Sequence, residues 1–308
     1  MANSPRCLLT FWGTRGSIPT PGRATEKYGG NTSCVSIRQG DLLVIIDAGT
    51  GIRSLGLELA REMKAGTCPK TIYLFLTHTH WDHIQGLPFF TPAFMKGVRI
   101  VIFGSPSREK LLENILEGQM DRHYFPVEMS MFHADLDIQE ISKESMTLGE
   151  LTIDWQEQVF HPGGCVRYRF TVGGRKFVFA SDVELDQMFT PPKDWAKDPL
   201  WGDIGLDERK RLADEFFDFI YGAELLIGDG QYVAQNYASR VGWGHTSVPM
   251  LVQTAHRAKV KQLAVFHHDP DSTDKILDEC QREFNRTFAS RNPAMSIFWA
   301  REGLTISV

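Results

Sequence analysis

The segment with the clearest chemical meaning carries three histidines and an aspartate close together; these are His78, His80, Asp82 and His83. It directly follows the run Thr71–Leu76, whose β-branched and aromatic composition predicts a buried strand. His78 and His80 are two positions apart, so an extended strand end projects both imidazoles the same way. A turn just beyond can aim the carboxylate and the third imidazole at a neighbouring point. This density of nitrogen and oxygen donors suits a borderline metal such as Zn²⁺.

The motif His78-x-His80-x-Asp82-His83, followed by Gly86, resembles the signature of the metallo-β-lactamase-fold hydrolases. The resemblance implies an α/β protein with an αββα sandwich, in which two mixed β-sheets are flanked by helices. It also implies further metal ligands downstream, each at the end of a strand. The alternative is a surface loop that happens to be rich in histidine.

Two downstream residues occupy strand ends, as the resemblance requires of a third histidine and a bridging aspartate. His161 follows the predicted strand Leu151–Phe160. Val166–Val172 and Arg175–Ala180 form a predicted hairpin with two glycines as its turn, and Asp182 comes just after it. A carboxylate that bridges two metals needs a rigid support, which such a hairpin supplies.

The resemblance then implies two divalent metal ions, most simply Zn²⁺, although Mn²⁺ and Fe²⁺ tolerate the same mixed ligands. The ligands of the first ion would be His78, His80 and His161. The ligands of the second would be Asp82, His83 and His267, with Asp182 as the bridge. We prefer His267 to His268 because it directly follows the predicted strand Leu263–Phe266.

Two such ions lower the pKa of a bridging water toward neutrality and neutralise an anionic substrate oxygen. A phosphodiester suits this chemistry, since it carries one negative charge and its leaving alkoxide needs a proton. His245, in Gly-His-Thr-Ser, resembles the non-ligand catalytic histidine of the phosphodiesterase branch of the superfamily; alternatively, it caps the following helix. Asp229 could orient His245 through its other nitrogen. With Asp82, these two residues are the candidate catalytic residues.

That branch includes tRNA 3′-processing ribonucleases, whose bacterial forms often carry a long arm between the third histidine and the bridging aspartate. Only a tight hairpin separates His161 from Asp182 here. The net charge of −5 also provides no general basic surface for a long nucleic acid. We therefore predict a phosphodiesterase that hydrolyses a small cyclic phosphate or cyclic nucleotide by a metal-bridging hydroxide. The alternatives are a lactonase or other acyl hydrolase, a tRNA 3′-processing endoribonuclease, and a non-catalytic nucleotide sensor.

Three residues are candidates for substrate contact. Arg15, in the turn after the first strand, could reach an anion, or it could be a solvated side chain on a tight turn. Tyr124 and Phe125 lie in the aromatic and Met-rich segment 118–135 and could stack on a base or ring. That segment could instead be a hydrophobic flap packed on the core. For acyl chemistry, Tyr124 or Tyr232 could hold a carbonyl oxygen.

Other patterns predict the elements that position these residues. Asp47 follows the strand Val44–Ile46 and could hold a ligand histidine or cap the next helix. That helix is indicated by apolar residues at helical spacing, namely Ile52, Leu55, Leu59 and Met63. An amphipathic helix is predicted over 207–220, with the charged run Asp207–Arg211 on its solvated face. A later helix over 271–287 should have Asp271 as its N-cap.

The 308 residues are 42% hydrophobic, enough for a substantial core, and we predict one domain over 1–308. Residues 185–206 would be an insertion at the pocket rim or a subunit contact. Five scattered cysteines without a CxxC pair predict reduced thiols. We therefore expect a cytoplasmic protein that acts on a small anionic phosphodiester, without membrane contact. Family analogy adds a possible homodimer.

Overall fold

The computed structural model describes residues 7–105, 111–141, 145–290 and 292–308. The strands within these ranges are β1 (Cys7–Gly13), β2 (Cys34–Gln39), β3 (Leu42–Ile46), β4 (Thr71–Phe75), β5 (Arg99–Gly104), β6 (Asp135–Glu140), β7 (Ser145–Leu148), β8 (Leu151–Gln158), β9 (Cys165–Val172), β10 (Arg175–Ala180), β11 (Leu225–Asp229), β12 (Gln262–Phe266), β13 (Ser296–Trp299) and β14 (Thr305–Ser307). The α-helices are α1 (Ile52–Ala65), α2 (Trp81–Ile84), α3 (Leu112–Gln119), α4 (Leu185–Phe189), α5 (Leu206–Ile220), α6 (Ala234–Tyr237), α7 (Val248–Arg257) and α8 (Asp274–Phe284). None of the helices in these ranges is long and apolar enough to cross a bilayer.

The backbone groups into two compact units, one formed by the ranges 1–144 and 301–308 and the other by 145–300. The first unit contains a seven-stranded sheet of order β14-β1-β2-β3-β4-β5-β6. Its pairs are antiparallel from β14 to β3 and parallel from β3 to β6. Helix α1 buries the predicted apolar stripe in a cluster with sheet residues such as Leu74 and Ile102. The prediction of one domain over 1–308 stays a prediction.

The second unit repeats this arrangement of strand directions. Its sheet has the order β13-β12-β11-β10-β9-β8-β7, antiparallel from β7 to β10 and parallel from β10 to β13. The predicted hairpin is present as β9 and β10, with Val172 opposite Arg175 and both turn glycines at positive φ. Because neighbouring parallel strands end at the same edge of a sheet, the residues that follow β10, β11 and β12 lie at one edge.

Two predictions about helices were wrong in detail. Helix α8 begins at Asp274, and its N-cap is Thr273, whose side chain accepts a hydrogen bond from the amide of Ile276. The predicted N-cap, Asp271, lies in the preceding turn, where its amide donates to the Asp269 carboxylate at 2.9 Å. A threonine closer to the first helical turn satisfies the exposed amide there.

The charged run at the start of α5 is not entirely solvated, because Arg209 is buried. Its guanidinium donates to the carbonyl oxygens of Ile204, Gln187 and Trp201 at 2.7–2.9 Å. It also lies over the ring of Phe160, 5.0 Å from the centroid. One side chain therefore fixes the backbone of the segment 185–206 to α5.

Replacing Arg209 with Met keeps much of the side-chain volume but leaves three carbonyl oxygens without their donor. We expect Arg209→Met to lower the free energy of unfolding by about 2–4 kcal/mol, measured by urea denaturation. The matched control is Arg211→Met on the same helix, where the guanidinium pairs with Glu208 and Glu215 at the exposed surface. Equal stabilities of the two variants would contradict this role of Arg209.

Candidate functional site

In the first unit, the motif residues lie just past the end of β4 and in the short helix α2. Nε2 of His78 is 2.9 Å from Nδ1 of His80. Nε2 of His83 is 3.3 Å from an Asp82 carboxylate oxygen. His78, Asp82 and His83 are buried, whereas His80 is exposed. The strand end thus brings two imidazole nitrogens together and pairs the third imidazole with the carboxylate.

The carboxylate of Asp47, at the end of β3, holds this segment in place. One oxygen accepts from the amide of Thr77 at 2.8 Å, and the other lies 2.7 Å from Nδ1 of His83. The hydroxyl of Ser33 donates to this second oxygen as well, at 2.9 Å. Helix α1 has Gly51 at its N-cap and no side-chain cap. Of the two roles considered for Asp47, the contacts therefore match that of holding a histidine.

In the second unit, the candidate residues come from the ends of β8, β10, β11 and β12 and from the segment before α7. Ligand-type atoms of four buried residues lie within 4.8 Å of one another; these are Asp182, Asp229, His245 and His267. His267 Nε2 lies 3.3 Å from Asp182 Oδ1. Nε2 of His161 is 4.0 Å from the same oxygen.

Three histidines of this unit, His161, His245 and His267, have Nδ1 beside a protein acceptor. The acceptor is the Gly244 carbonyl for His161, at 3.1 Å, and the Gln231 side-chain oxygen for His267, at 2.9 Å. For His245 it is the Asp229 carboxylate, at 2.8 Å. Such contacts set the ring orientation and assign Nε2 as the nitrogen directed toward a metal or substrate.

The neighbouring histidine His268 has a different environment. Its Nε2 lies 2.7 Å from the carbonyl oxygen of Ala300, within the fully buried interior of the unit. Nε2 of His267, in contrast, lies 3.3 Å from Oδ1 of Asp182. The geometry therefore agrees with the choice of His267 over His268 as a candidate ligand.

The donor set of each unit fits a divalent metal ion. Imidazole nitrogens and carboxylate oxygens are the ligands that Zn²⁺ and similar ions take in proteins. The rings are oriented by second contacts, as is usual for metal-binding histidines. In the first unit the residues that would hold metal are His78, His80, Asp82 and His83. In the second, the predicted ligands are His161, Asp182 and His267.

One buried residue of the second unit has no signal in the sequence. Glu184, two positions after Asp182, is fully buried. Its carboxylate accepts hydrogen bonds from the Tyr237 hydroxyl and from the amides of Gly242 and Gly244. Burial and the nearby Glu184 raise the pKa of Tyr237, so its phenol stays protonated and donates. Nothing in the local pattern distinguishes this glutamate from a solvated one.

The three predicted substrate-contacting residues lie in different environments. Arg15 is fully buried, and its Nε donates to the Gly29 carbonyl at 2.8 Å, so it is neither solvated nor accessible to an anion. Phe125 is partly buried and packs against Phe89, with ring centroids 5.3 Å apart. Tyr124 is 83% exposed and thus accessible.

Tyr232, the other candidate for holding a carbonyl oxygen, is buried beside the second unit's histidines. Its ring centroid is 6.0 Å from that of His245. Burial, with the Asp229 carboxylate adding to it, raises the pKa of Tyr232, so the phenol remains a neutral donor.

Comparison with known proteins gives the fold of the chain. The family model described as the β-lactamase superfamily domain matches residues 43–193. A ribonuclease Z from Thermoplasma acidophilum is 24% identical, with 95% of this chain and 96% of that protein covered. The metallo-β-lactamase-fold protein YhfI from Bacillus subtilis has a TM-score of 0.66 at 18% identity, covering 99% of this chain and 100% of that one. A diphosphatase from the PhnP family has a TM-score of 0.63 at 17% identity, covering 98% of each chain.

This chain has the metallo-β-lactamase fold. The predicted αββα fold class is confirmed by the solved structures and by the two mixed sheets.

The role of Asp47 can be tested with Asp47→Asn, which keeps the volume and tolerates the left-handed backbone at this position. The amide group cannot accept from both Thr77 and His83. We expect metal affinity to fall about 10–100-fold, measured by competition with a chromophoric chelator. His133→Ala, which removes an exposed histidine of the same unit, is the control and should leave the affinity unchanged. Matching affinities in the two variants would refute the role of Asp47.

Proposed function

We propose that the chain is a dinuclear metal-dependent phosphodiesterase that hydrolyses a small cyclic phosphate or cyclic nucleotide. The metal ligands would be the set that the family resemblance implies: His78, His80 and His161 for one ion, Asp82, His83 and His267 for the other, and Asp182 as the bridge. Zn²⁺ is the first choice of ion, with Mn²⁺ and Fe²⁺ as alternatives. Two ions, when bound, supply an activated water and neutralise charge on a phosphoryl oxygen.

The observation that carries the proposal is the pair formed by His245 and Asp229. Nδ1 of His245 is 2.8 Å from the Asp229 carboxylate, and the ring lies next to the candidate ligand His267, with centroids 4.9 Å apart. This contact directs Nε2 of His245 away from Asp229, so Nε2 would be the atom that donates a proton to the substrate, with the Asp229 carboxylate beside the ring. Hydrolysis of a phosphodiester needs such a proton at the leaving alkoxide oxygen.

Asp229 is itself fixed by the backbone of the site. Its carboxylate accepts from the amides of Asp182, at 3.0 Å, and Gln231, at 3.1 Å. The same carboxylate therefore positions the candidate bridging aspartate and the candidate proton donor. A shift of one would move the other.

The size of the substrate separates two versions of this proposal. Relatives named ribonuclease Z act on RNA by name, which favours an RNA substrate, whereas the PhnP-family neighbour is named a diphosphatase. In this chain β9 and β10 are joined by Gly173–Gly174 alone, so no arm extends between His161 and Asp182. The net charge of −5 gives no excess of cations to bind a polyanion. We therefore put a small phosphodiester first and a tRNA 3′ end second.

A lactonase or other acyl hydrolase is the alternative from another reaction class. The neutral phenol of Tyr232 near His245 would be its carbonyl-binding group. Acyl hydrolysis does not require the Asp229–His245 pair, and for that reason we rank it lower. Cytoplasmic localisation, a homodimer and the absence of membrane contact remain expectations from the sequence.

A matched substrate panel tests the proposal: an aryl phosphodiester, cyclic nucleotides, a pre-tRNA and a lactone, each given to the metal-reconstituted protein. We expect turnover of the diesters and none of the lactone. His245→Ala should reduce diester turnover about 10²–10⁴-fold while metal content stays normal, because it removes the proton donor and no predicted ligand. His256→Ala, at an exposed position on α7, is the control.

The same panel gives the results that would contradict the proposal. Lactone turnover without diester cleavage would replace the proposal with acyl hydrolysis. Cleavage of pre-tRNA alone would make the chain a tRNA-processing nuclease. Loss of metal in His245→Ala would make this histidine a ligand or a structural residue.

A further inference from the structure

The buried carboxylate of Glu184 is the feature of the second unit that the proposed mechanism does not use. We propose that Glu184 is a positioning residue, which holds the segment before His245 so that Nε2 of that histidine reaches the leaving-group oxygen. This inference rests on the proposed function, because it assigns Glu184 a role in placing the proposed proton donor.

Both oxygens of Glu184 are used to hold one short segment. Oε1 accepts from the Tyr237 hydroxyl at 2.6 Å and from the amide of Gly242 at 2.9 Å. Oε2 accepts from the amide of Gly244 at 2.9 Å. A single carboxylate thus fixes the end of α6 and two amides within the three residues that precede His245. Hydrogen bonds to an ionised acceptor are among the stronger ones in proteins.

The segment needs this support because its backbone is unusual. Gly242 and Gly244 have φ of +87° and +85°, in the left-handed region. A Cβ at Gly244 would lie 2.6 Å from Nδ1 of His161, so the segment passes directly against that ring. Glycine allows the close approach but leaves the backbone easily displaced, since it imposes little conformational restriction of its own.

Beyond His245, the chain is held by other groups. The amide of Thr246 donates to Asp229 at 3.3 Å, and the amide of Ser247 donates to Asp186 at 2.9 Å. The imidazole is therefore fixed from the C-terminal side independently of Glu184. Only Glu184 contributes side-chain acceptors to the described residues 242–244. Weakening it should shift His245 without removing its contact to Asp229.

A misplaced proton donor has a characteristic kinetic effect. A 4-nitrophenolate leaving group departs without a proton, whereas an alkoxide requires one. A change that moves His245 should therefore slow cleavage of alkyl esters far more than cleavage of nitrophenyl esters. A general loss of stability or of metal slows both to the same extent.

The test compares Glu184→Gln with the wild-type enzyme on the 4-nitrophenyl and methyl esters of one nucleoside phosphate, at saturating metal. In the variant, an amide nitrogen faces amide donors, so one set of hydrogen bonds is lost. We expect kcat for the methyl ester to fall about 10–100-fold, part of the range general acid catalysis spans, and kcat for the nitrophenyl ester to change only slightly. KM and bound metal should be near the wild-type values.

Glu302→Gln is the matched control. Glu302 is a partly buried carboxylate that accepts from the Asn31 amide and side chain in the first unit. The Glu302→Gln variant should be less stable than the wild type, but it should slow the two esters equally or not at all. If Glu184→Gln behaves in the same way, or slows both esters equally while losing metal, Glu184 is only structural and the inference is wrong.

Two further variants keep the result interpretable. Tyr237→Phe removes only the hydroxyl that fixes the Glu184 carboxylate, so it should show the same ester discrimination at smaller size if Glu184→Gln does not fold. His245→Ala, measured in parallel, separates the two hypotheses. If His245→Ala slows both esters equally, the proposed function is wrong. If His245→Ala slows the methyl ester selectively but Glu184→Gln and Tyr237→Phe do not, only the role of Glu184 is wrong.

Discussion

The candidate residues depend on a backbone constraint that occurs at three strand ends. Asp47 after β3, Asp182 near the end of β10 and His267 after β12 all have φ close to +60°. For residues other than glycine this conformation costs about 1–3 kcal/mol, and it persists only when the surroundings fix it. Here each residue is buried and hydrogen-bonded. The strain therefore occurs at residues that closely follow a strand and whose positions are fixed by hydrogen bonds.

Buried carboxylates provide most of that support. Asp47 holds His83 and Thr77 in the first unit, while Asp229 and Glu184 hold the segments around Asp182 and His245 in the second. The two sheets have the same sequence of strand directions, and β3 and β10 are equivalent within them. The aspartate after β3 orients a histidine, whereas the one after β10 is the proposed bridging ligand. One topological position thus has two chemical uses.

The spacing of apolar residues and of turn glycines is sufficient to predict the strands and the helix that carry the site. The strand before His78, the hairpin before Asp182 and helix α1 all follow from local patterns, because each depends on apolar alternation or on glycine turns within one segment. Long-range contacts could not be predicted in this way. Arg209 lies in a run of charges and Glu184 beside a helix start, and both are buried only because distant carbonyls and amides surround them. Arg15 is a similar case, since only the fold brings it to the Gly29 carbonyl.

The proposed dinuclear centre is tested most directly by anomalous diffraction from crystals of the metal-reconstituted protein. The account predicts two anomalous peaks per chain. One should lie among His78, His80 and His161, the other among Asp82, His83 and His267, with Asp182 between them. A single peak, or peaks at other residues, would contradict the dinuclear centre and with it the proposed hydrolysis.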